Sequence, residues 1–190
     1  MEITPIFTNF IASDNLNSKL DNSKVHNYCY DVCKSNSDKN VTTYFDFKEP
    51  ELQNLFFEIQ QRLDVLHKHF QFSEKYSQYL YDSWVNINDT PYINQPHVHA
   101  KAQNIIFSGV YYVKAEIDSP TIEFLSPIAA HPYVIDINKV DKFNNFNSTK
   151  WKVQPSSGDL IIFPCWMMHY VTKNYSTQDR ISIAFNSIMV

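Results

Sequence analysis

From residue 80 onward the chain is a succession of short β-branched or aromatic runs separated by polar turns, at 80–87, 105–113, 121–125, 160–163, 169–172 and 180–186. Runs this short, bounded by turn residues, fit strands and are too brief for independent helices. The second half is therefore mainly β. Its turns are made almost without glycine, because the chain has only two, Gly109 and Gly158. Ser156-Ser157-Gly158-Asp159 reads as a turn in which Gly158 supplies a positive φ or room for close approach. Gly109 falls inside a strand, where glycine marks a bulge or a tightly packed backbone.

The first half has a different grain. Residues 1–12 read as an apolar arm, the polar run 13–39 as containing one helix with Asn and Ser ends, and 42–47 as a strand. From Pro50, the positions Leu52, Leu55, Phe56, Ile59, Leu63, Leu66 and Phe70 follow helical spacing, and Pro50 with Glu51 suits a helix start. The expected fold class is mainly β with N-terminal helices. An N-terminal helical lobe, 1–80, packs on a β core, 81–190, in a single compact domain. The 44% hydrophobic and 15% aromatic content suits a sheet-rich globule, and 190 residues can bury such a core without staples. The stretch 126–150 lacks any period, and a loop of that length is expected to be a lid or binding loop or a mobile insertion.

Charge and cysteine content narrow the functional class. A net charge of -4 without a basic run disfavours a nucleic-acid surface, since such surfaces gather Lys and Arg against phosphates. The N-terminus lacks a basic start with a continuous apolar segment, and no later segment is long enough to span a bilayer, so the expected address is cytoplasmic with no membrane partner. Three cysteines define no disulfide framework. Cys29 and Cys33 would share a helix face with only His26 in range, too few ligands for zinc, so idle thiols are expected.

Two H-x-H patterns occur. His67-Lys68-His69 ends the helix that starts at Pro50, where successive residues turn by about 100° and the two rings diverge by roughly 200°. His97-Val98-His99 follows Pro96, which disfavours helix at Gln95; on an extended backbone residues i and i+2 share a face and can chelate. His26 and His131 have no partner at ligand spacing. His169 follows the apolar run LIIFPCWMM and precedes a polar turn leading to Arg180-Ile181-Ser182. A hairpin with its loop near Lys173 to Ser176 would set His169 opposite Arg180. Arg180, Ser182 and Ala184 would then share its face, with Ile181, Ile183 and Phe185 on the other. An arginine on an apolar strand needs an anion, either a protein carboxylate such as Asp159 or a bound carboxylate gripped by the guanidinium fork and the Ser182 hydroxyl.

The order of these residues resembles the iron(II)- and 2-oxoglutarate-dependent oxygenase superfamily. The segments SWVNINDTPYINQPHVHA, FSGVYYV, GDLIIFPCWMMHYV and RISIAFN resemble a group of putative oxygenases within it that carries W-x-N, H-x-H, S-G-V-Y-Y and R-x-S motifs. The likeness covers roughly 81–190 well, and the N-terminal half only through the opening PIF and its helices. It implies a double-stranded β-helix, a jelly-roll or cupin-like barrel with the metal on its inner face. It implies His97, His99 and His169 as metal ligands. For the distal carboxylate of 2-oxoglutarate it implies Arg180 and Ser182, with Tyr111 adding a hydroxyl and Asn86 facing the pocket.

The pattern departs from the family at His99, where Asp or Glu is expected. Three neutral imidazoles leave a divalent ion at +2, where one carboxylate would leave +1. Asp82, Asp89, Glu123 and Asp159 are the alternative carboxylates, none at the pattern's position, and three histidines are the expected set. The implied function is a dioxygenase using Fe(II), 2-oxoglutarate and O2 to hydroxylate a substrate C–H bond with release of succinate and CO2. The rivals are a cupin-type three-histidine metal enzyme that does not use 2-oxoglutarate, and a non-catalytic jelly-roll binding module. The substrate classes left open are protein side chains, peptides and small metabolites.

Overall fold

The structure, a computed structural model, describes residues 1–6, 8–34, 43–44, 48–88, 94–100, 104–128 and 136–190. Among the described residues, ten strands and two α-helices run in the order β1 (Ala12–Asn15), α1 (Asn22–Lys34), β2 (Thr43–Tyr44), α2 (Gln53–His69), β3 (Gln78–Asn88), β4 (Asn94–His97), β5 (Ile105–Lys114), β6 (Ile122–Leu125), β7 (Lys150–Val153), β8 (Asp159–Pro164), β9 (His169–Val171) and β10 (Arg180–Met189). Six form one sheet in the order β1-β8-β5-β10-β3-β2, and four form the other in the order β4-β9-β6-β7. Every pairing is antiparallel. This is the double-stranded β-helix that the sequence leads one to expect.

Strand alternation divides the large sheet between two cores. Ile181, Ile183 and Phe185 of β10 join Leu160 and Ile162 of β8 and Tyr111 and Val113 of β5 beneath the helices. Val110 and Tyr112, Ile161 and Phe163 point the other way, toward Ile122 and Phe124 of the small sheet. The helix-side core is completed by Leu55, Phe56, Ile59, Leu63 and Leu66 of α2, each contributing about 1.5–3 kcal/mol by burial. A 3-10 turn, Pro50–Leu52, starts that helix with Pro at its first position.

The N-terminal segment supplies two helices that pack on the large sheet, and also two of that sheet's strands, β1 and β2. In the segment where a strand is expected, Thr43–Tyr44 is strand, and 42 and 45–47 lie outside the described residues. Within 126–150, a 3-10 turn at Ile137–Lys139 is described and 129–135 are not.

The expected β9–β10 hairpin does not form. β9 pairs with β4 and β6 in the small sheet, whereas β10 pairs with β3 and β5 in the large one. The 172–179 connection crosses between layers, so His169 and Arg180 share the space between the sheets without sharing a ladder. The division of β10 into two faces stands regardless of its partner, because alternation is a property of the strand itself.

Both glycines are where a side chain is excluded. Gly158 has φ +89° in the turn before β8. A Cβ on Gly109 would lie 2.2 Å from the Phe185 ring and 2.8 Å from the Ile161 carbonyl oxygen. That is the close-packed strand glycine rather than a bulge.

Candidate metal and carboxylate site

Strand β4 ends at His97, which sits directly across the ladder from His169 at the start of β9. His99 lies just past the strand end, held by its backbone N–H donating to the Cys165 carbonyl at 2.9 Å. One ligand nitrogen from each of the three imidazoles lies within 4.8 Å of the others. The ring centroids stand 4.5 Å apart for His97 and His169, 5.1 Å for His97 and His99, and 5.2 Å for His99 and His169. Aromatic neighbours set the ring planes. Trp84 of β3 stacks on His99 at 5.6 Å, and Phe163 and Phe124 bracket His169 at 4.7 and 5.9 Å.

Two backbone carbonyls select the tautomer. His97 Nδ1 lies 2.7 Å from the Gln95 oxygen and His169 Nδ1 lies 2.9 Å from the Met167 oxygen. A carbonyl only accepts, so both Nδ1 atoms carry the proton and each Nε2 keeps its lone pair for a metal. Burial pushes the His169 pKa down to about 4, with the Met167 hydrogen bond pulling it up and the neighbouring His97 pushing it further down. The ring is neutral at pH 7, the state a ligand requires.

The alternative carboxylates lie elsewhere. Glu123 bonds Tyr170 and Lys150, and strand alternation puts it on the face of β6 opposite Phe124. Asp159 accepts from Asn15 Nδ2 at 2.8 Å and the Ser156 N–H at 2.7 Å. Asp82 accepts from the Asn186 N–H at 3.2 Å, and burial raises its pKa. Asp89 and His131 fall outside the described residues. The decoys behave as their backbone dictates. His67 packs by Phe72, His69 packs edge-on to Phe70, and His26 stacks on Tyr30. All three cysteines are free.

Also between the sheets sits Arg180, 2% exposed. Its Nη1 donates to Asn88 Oδ1 at 2.5 Å and to Ser182 Oγ at 3.4 Å, and its guanidinium lies 4.8 Å from the centre of the Tyr112 ring. Among the described residues no carboxylate pairs with it, Asp159 included, and its Nε has no hydrogen-bond partner. The Tyr112 hydroxyl is equally buried and equally unpartnered. Its pKa is raised by burial, with Arg180 opposing that and Asp159 adding to it. A buried guanidinium lacking an anion costs several kcal/mol. With its own Nε and the hydroxyl of the adjacent Tyr112 both unpartnered, it fits a bound carboxylate.

Asn86 pairs across the ladder with Ser182 and shares its face. Tyr111 does not. Its hydroxyl donates to Asn22 Oδ1 at 2.8 Å, on the helix side of the sheet. The motif match is one residue out of phase, and a shift of one reverses the face, so the tyrosine beside Arg180 is Tyr112. Sequence reasoning also missed Asn88 and Trp84. The signal for both was parity with Asn86 on β3.

Fold and site together define a jelly-roll protein with three histidines that could hold a metal at the strand ends and a buried arginine with no carboxylate partner among the described residues. A family model described as "Putative 2OG-Fe(II) oxygenase" matches residues 82–186, more than half of the sequence, and the chain belongs to this family of iron(II)- and 2-oxoglutarate-dependent oxygenases. The family's cofactors are Fe(II) and 2-oxoglutarate, with O2 as the co-substrate. No curated protein matches the chain in sequence.

Solved structures share the fold at low identity. A Pseudomonas putida prolyl-4-hydroxylase superposes with a TM-score of 0.63 at 10% identity, over 95% of this chain and 87% of that one. The 2-oxoglutarate-dependent carbocyclase SnoK of nogalamycin biosynthesis gives 0.66 at 12%, over 94% and 79%. HygX of Streptomyces hygroscopicus, solved with nickel and 2-oxoglutarate bound, gives 0.58 at 10%, over 94% and 82%. Among the described residues no helix is long and apolar enough to cross a membrane.

Proposed function

We propose that this oxygenase hydroxylates a C–H bond of its substrate through a site in which His97, His99 and His169 hold the iron and Arg180, Ser182, Tyr112 and Asn86 hold the 2-oxoglutarate. The observation that carries this reading is the pairing of two incomplete centres in one interior. Three imidazoles converge near the strand ends, and a buried guanidinium without a carboxylate partner among the described residues lies between the same two sheets. Iron(II) with bound 2-oxoglutarate supplies the oxidising chemistry, in which decarboxylation to succinate and CO2 is coupled to O2 activation and substrate oxidation.

The chain's own residues bind, orient and insulate. The Gln95 and Met167 carbonyls hold the Nδ1 protons and so keep each Nε2 free. Arg180 neutralises the distal carboxylate, and the Tyr112 hydroxyl adds a directed hydrogen bond. Phe124, Phe163 and Trp84 exclude water from the rings they flank. The free cysteines support a reducing, cytoplasmic setting, and the acidic charge supports a partner other than nucleic acid.

The deciding experiment is anaerobic reconstitution with Fe(II). Adding 2-oxoglutarate is expected to produce a visible absorption band, and admitting O2 to yield succinate stoichiometric with the 2-oxoglutarate consumed. Absence of both in iron-loaded protein overturns the reading. Oxygen uptake that Arg180→Ala leaves unchanged at every 2-oxoglutarate concentration would instead identify a three-histidine oxygenase that does without it.

A further inference from the structure

A cavity of about 580 Å³ opens beside the histidine site, between the N-terminal arm on one side and the ends of β6 and β7 with the loop between them on the other. Its walls include Ile6, Phe10, Ile128, Phe146 and Trp151, and its inner end is formed by Phe124 and Met167. Those two residues join it to the metal centre. The Phe124 ring lies 5.9 Å from the His169 ring, and the Met167 carbonyl accepts the His169 Nδ1 proton. Trp151 stands directly across the ladder from Phe124, so both side chains face the same space.

The lining has a definite chemistry. Among the described residues that line it, Lys150 is the one that carries a charge. The ammonium is drawn to Glu123 Oε2 at 3.0 Å and Tyr170 OH at 2.7 Å, and only its methylene stem is left for the cavity. Ile6, Ile128 and Phe146 remain at least half exposed, a costly arrangement for apolar groups clustered around one groove. The polar residues of the lining other than Lys150, namely Thr4, Thr8, Asn9, Ser126, Asn145 and Ser148, carry no formal charge. The volume falls within the range of roughly 300–1,000 Å³ typical of small-molecule sites.

We propose that this cavity is the anchoring subsite of the substrate, and that it takes an uncharged, largely apolar small molecule whose reactive end extends past Phe124 and Met167 toward the histidines. The inference rests on the histidine reading for its direction, because the anchored portion is the part that is not oxidised. Binding of such a remote portion is what positions the reacting carbon.

The test uses two matched probes on the full chain. N-phenyl-1-naphthylamine is neutral, and 8-anilino-1-naphthalenesulfonate is the same ring system with an anionic group. The neutral probe is expected to bind saturably at one site, at least ~10-fold more tightly than the sulfonate, because no available cation lines the cavity. Phe146→Asp and Ile6→Asp, both at exposed positions, are each expected to weaken it ~10-fold or more while Mn(II) uptake, read by electron paramagnetic resonance, stays at the wild-type level. In Mn(II)-loaded protein the bound probe's protons should relax faster than in metal-free protein. Unchanged probe affinity in both variants, preference for the sulfonate, or no relaxation enhancement in protein that does hold Mn(II) each overturns the proposal. Should the wild type take up no Mn(II), the histidine reading fails, and the probe affinities of the variants decide the cavity on their own.

Discussion

The chain carries the same tripeptide pattern twice, and the two copies have opposite fates. His67-Lys68-His69 closes α2, and its rings pack against different neighbours, His67 on Phe72 and His69 edge-on to Phe70. His97 ends β4 and His99 lies just past it, bonded to the Cys165 carbonyl, and both rings come to one point where His169 arrives from the neighbouring strand. The histidine spacing is the same, with Lys68 between one pair and Val98 between the other. What differs is the backbone, helical in one copy and outside any helix at a strand end in the other, and that decides whether i and i+2 converge. A ligand pattern is thus a statement about dihedral angles as much as about residue types.

The hardest blow to this contrast is removal of a converging ring. His169→Ala and His97→Ala are each expected to lower Fe(II) or Mn(II) affinity by at least ~100-fold. The double substitution of His67 and His69 by Ala should leave metal content at the wild-type level, as measured by elemental analysis after gel filtration. Loss of metal in the helical pair would break the comparison outright.

Next in size is the carboxylate seat. Arg180→Met is expected to weaken 2-oxoglutarate binding by ~100-fold, about 3 kcal/mol, since one partner of a buried charged pair is lost. The same substitution should raise the melting temperature of the ligand-free protein, because an uncompensated buried charge is replaced by an apolar chain of similar length. Calorimetry with and without 2-oxoglutarate reads both effects, and they have opposite signs.

Smaller effects come from the adjacent tyrosines of β5. Tyr112→Phe should weaken 2-oxoglutarate by about 10-fold, the loss of one hydrogen bond to a charged group. Tyr111→Phe should leave that affinity unchanged and cost about 1 kcal/mol of stability through its Asn22 bond. The reverse result in isothermal titration would show that the motif phase, not the strand face, assigns the residue.

The smallest shift is expected at His99. His99→Asp should retain metal and weaken the anionic 2-oxoglutarate only about fivefold, as the ion and its protein ligands go from a net charge of +2 to +1. A complete loss of metal would show that the His99 ring, stacked on Trp84, is held in a position that the shorter side chain cannot reach.

Much of this was legible before any coordinates. The observed strands β3, β5, β6, β8, β9 and β10 fall on the apolar runs to within a few residues, and α2 follows the apolar spacing from Pro50. The convergence of the three histidines and the inward face of Arg180 were legible because motif order and strand alternation survive in sequence. The short strands β1, β4 and β7 were not, because ASDN, NQPH and KWKV carry little apolar signal and are held by ladder bonds to β8, β9 and β6. Their partners, not their residues, make them strands.

The chain alone determined local period, and with it which residues of β10 could face inward, because alternation needs no knowledge of neighbours. It also determined that Gly109 and Gly158 mark constrained backbone, since glycine is used nowhere else. Only the tertiary structure decided which strands would be neighbours. It sent β9 and β10 to different sheets, put Tyr112 rather than Tyr111 under Arg180, and left that guanidinium without a carboxylate partner among the described residues. Pairing is set by summed burial and hydrogen bonding across the whole chain, so no local window contains it.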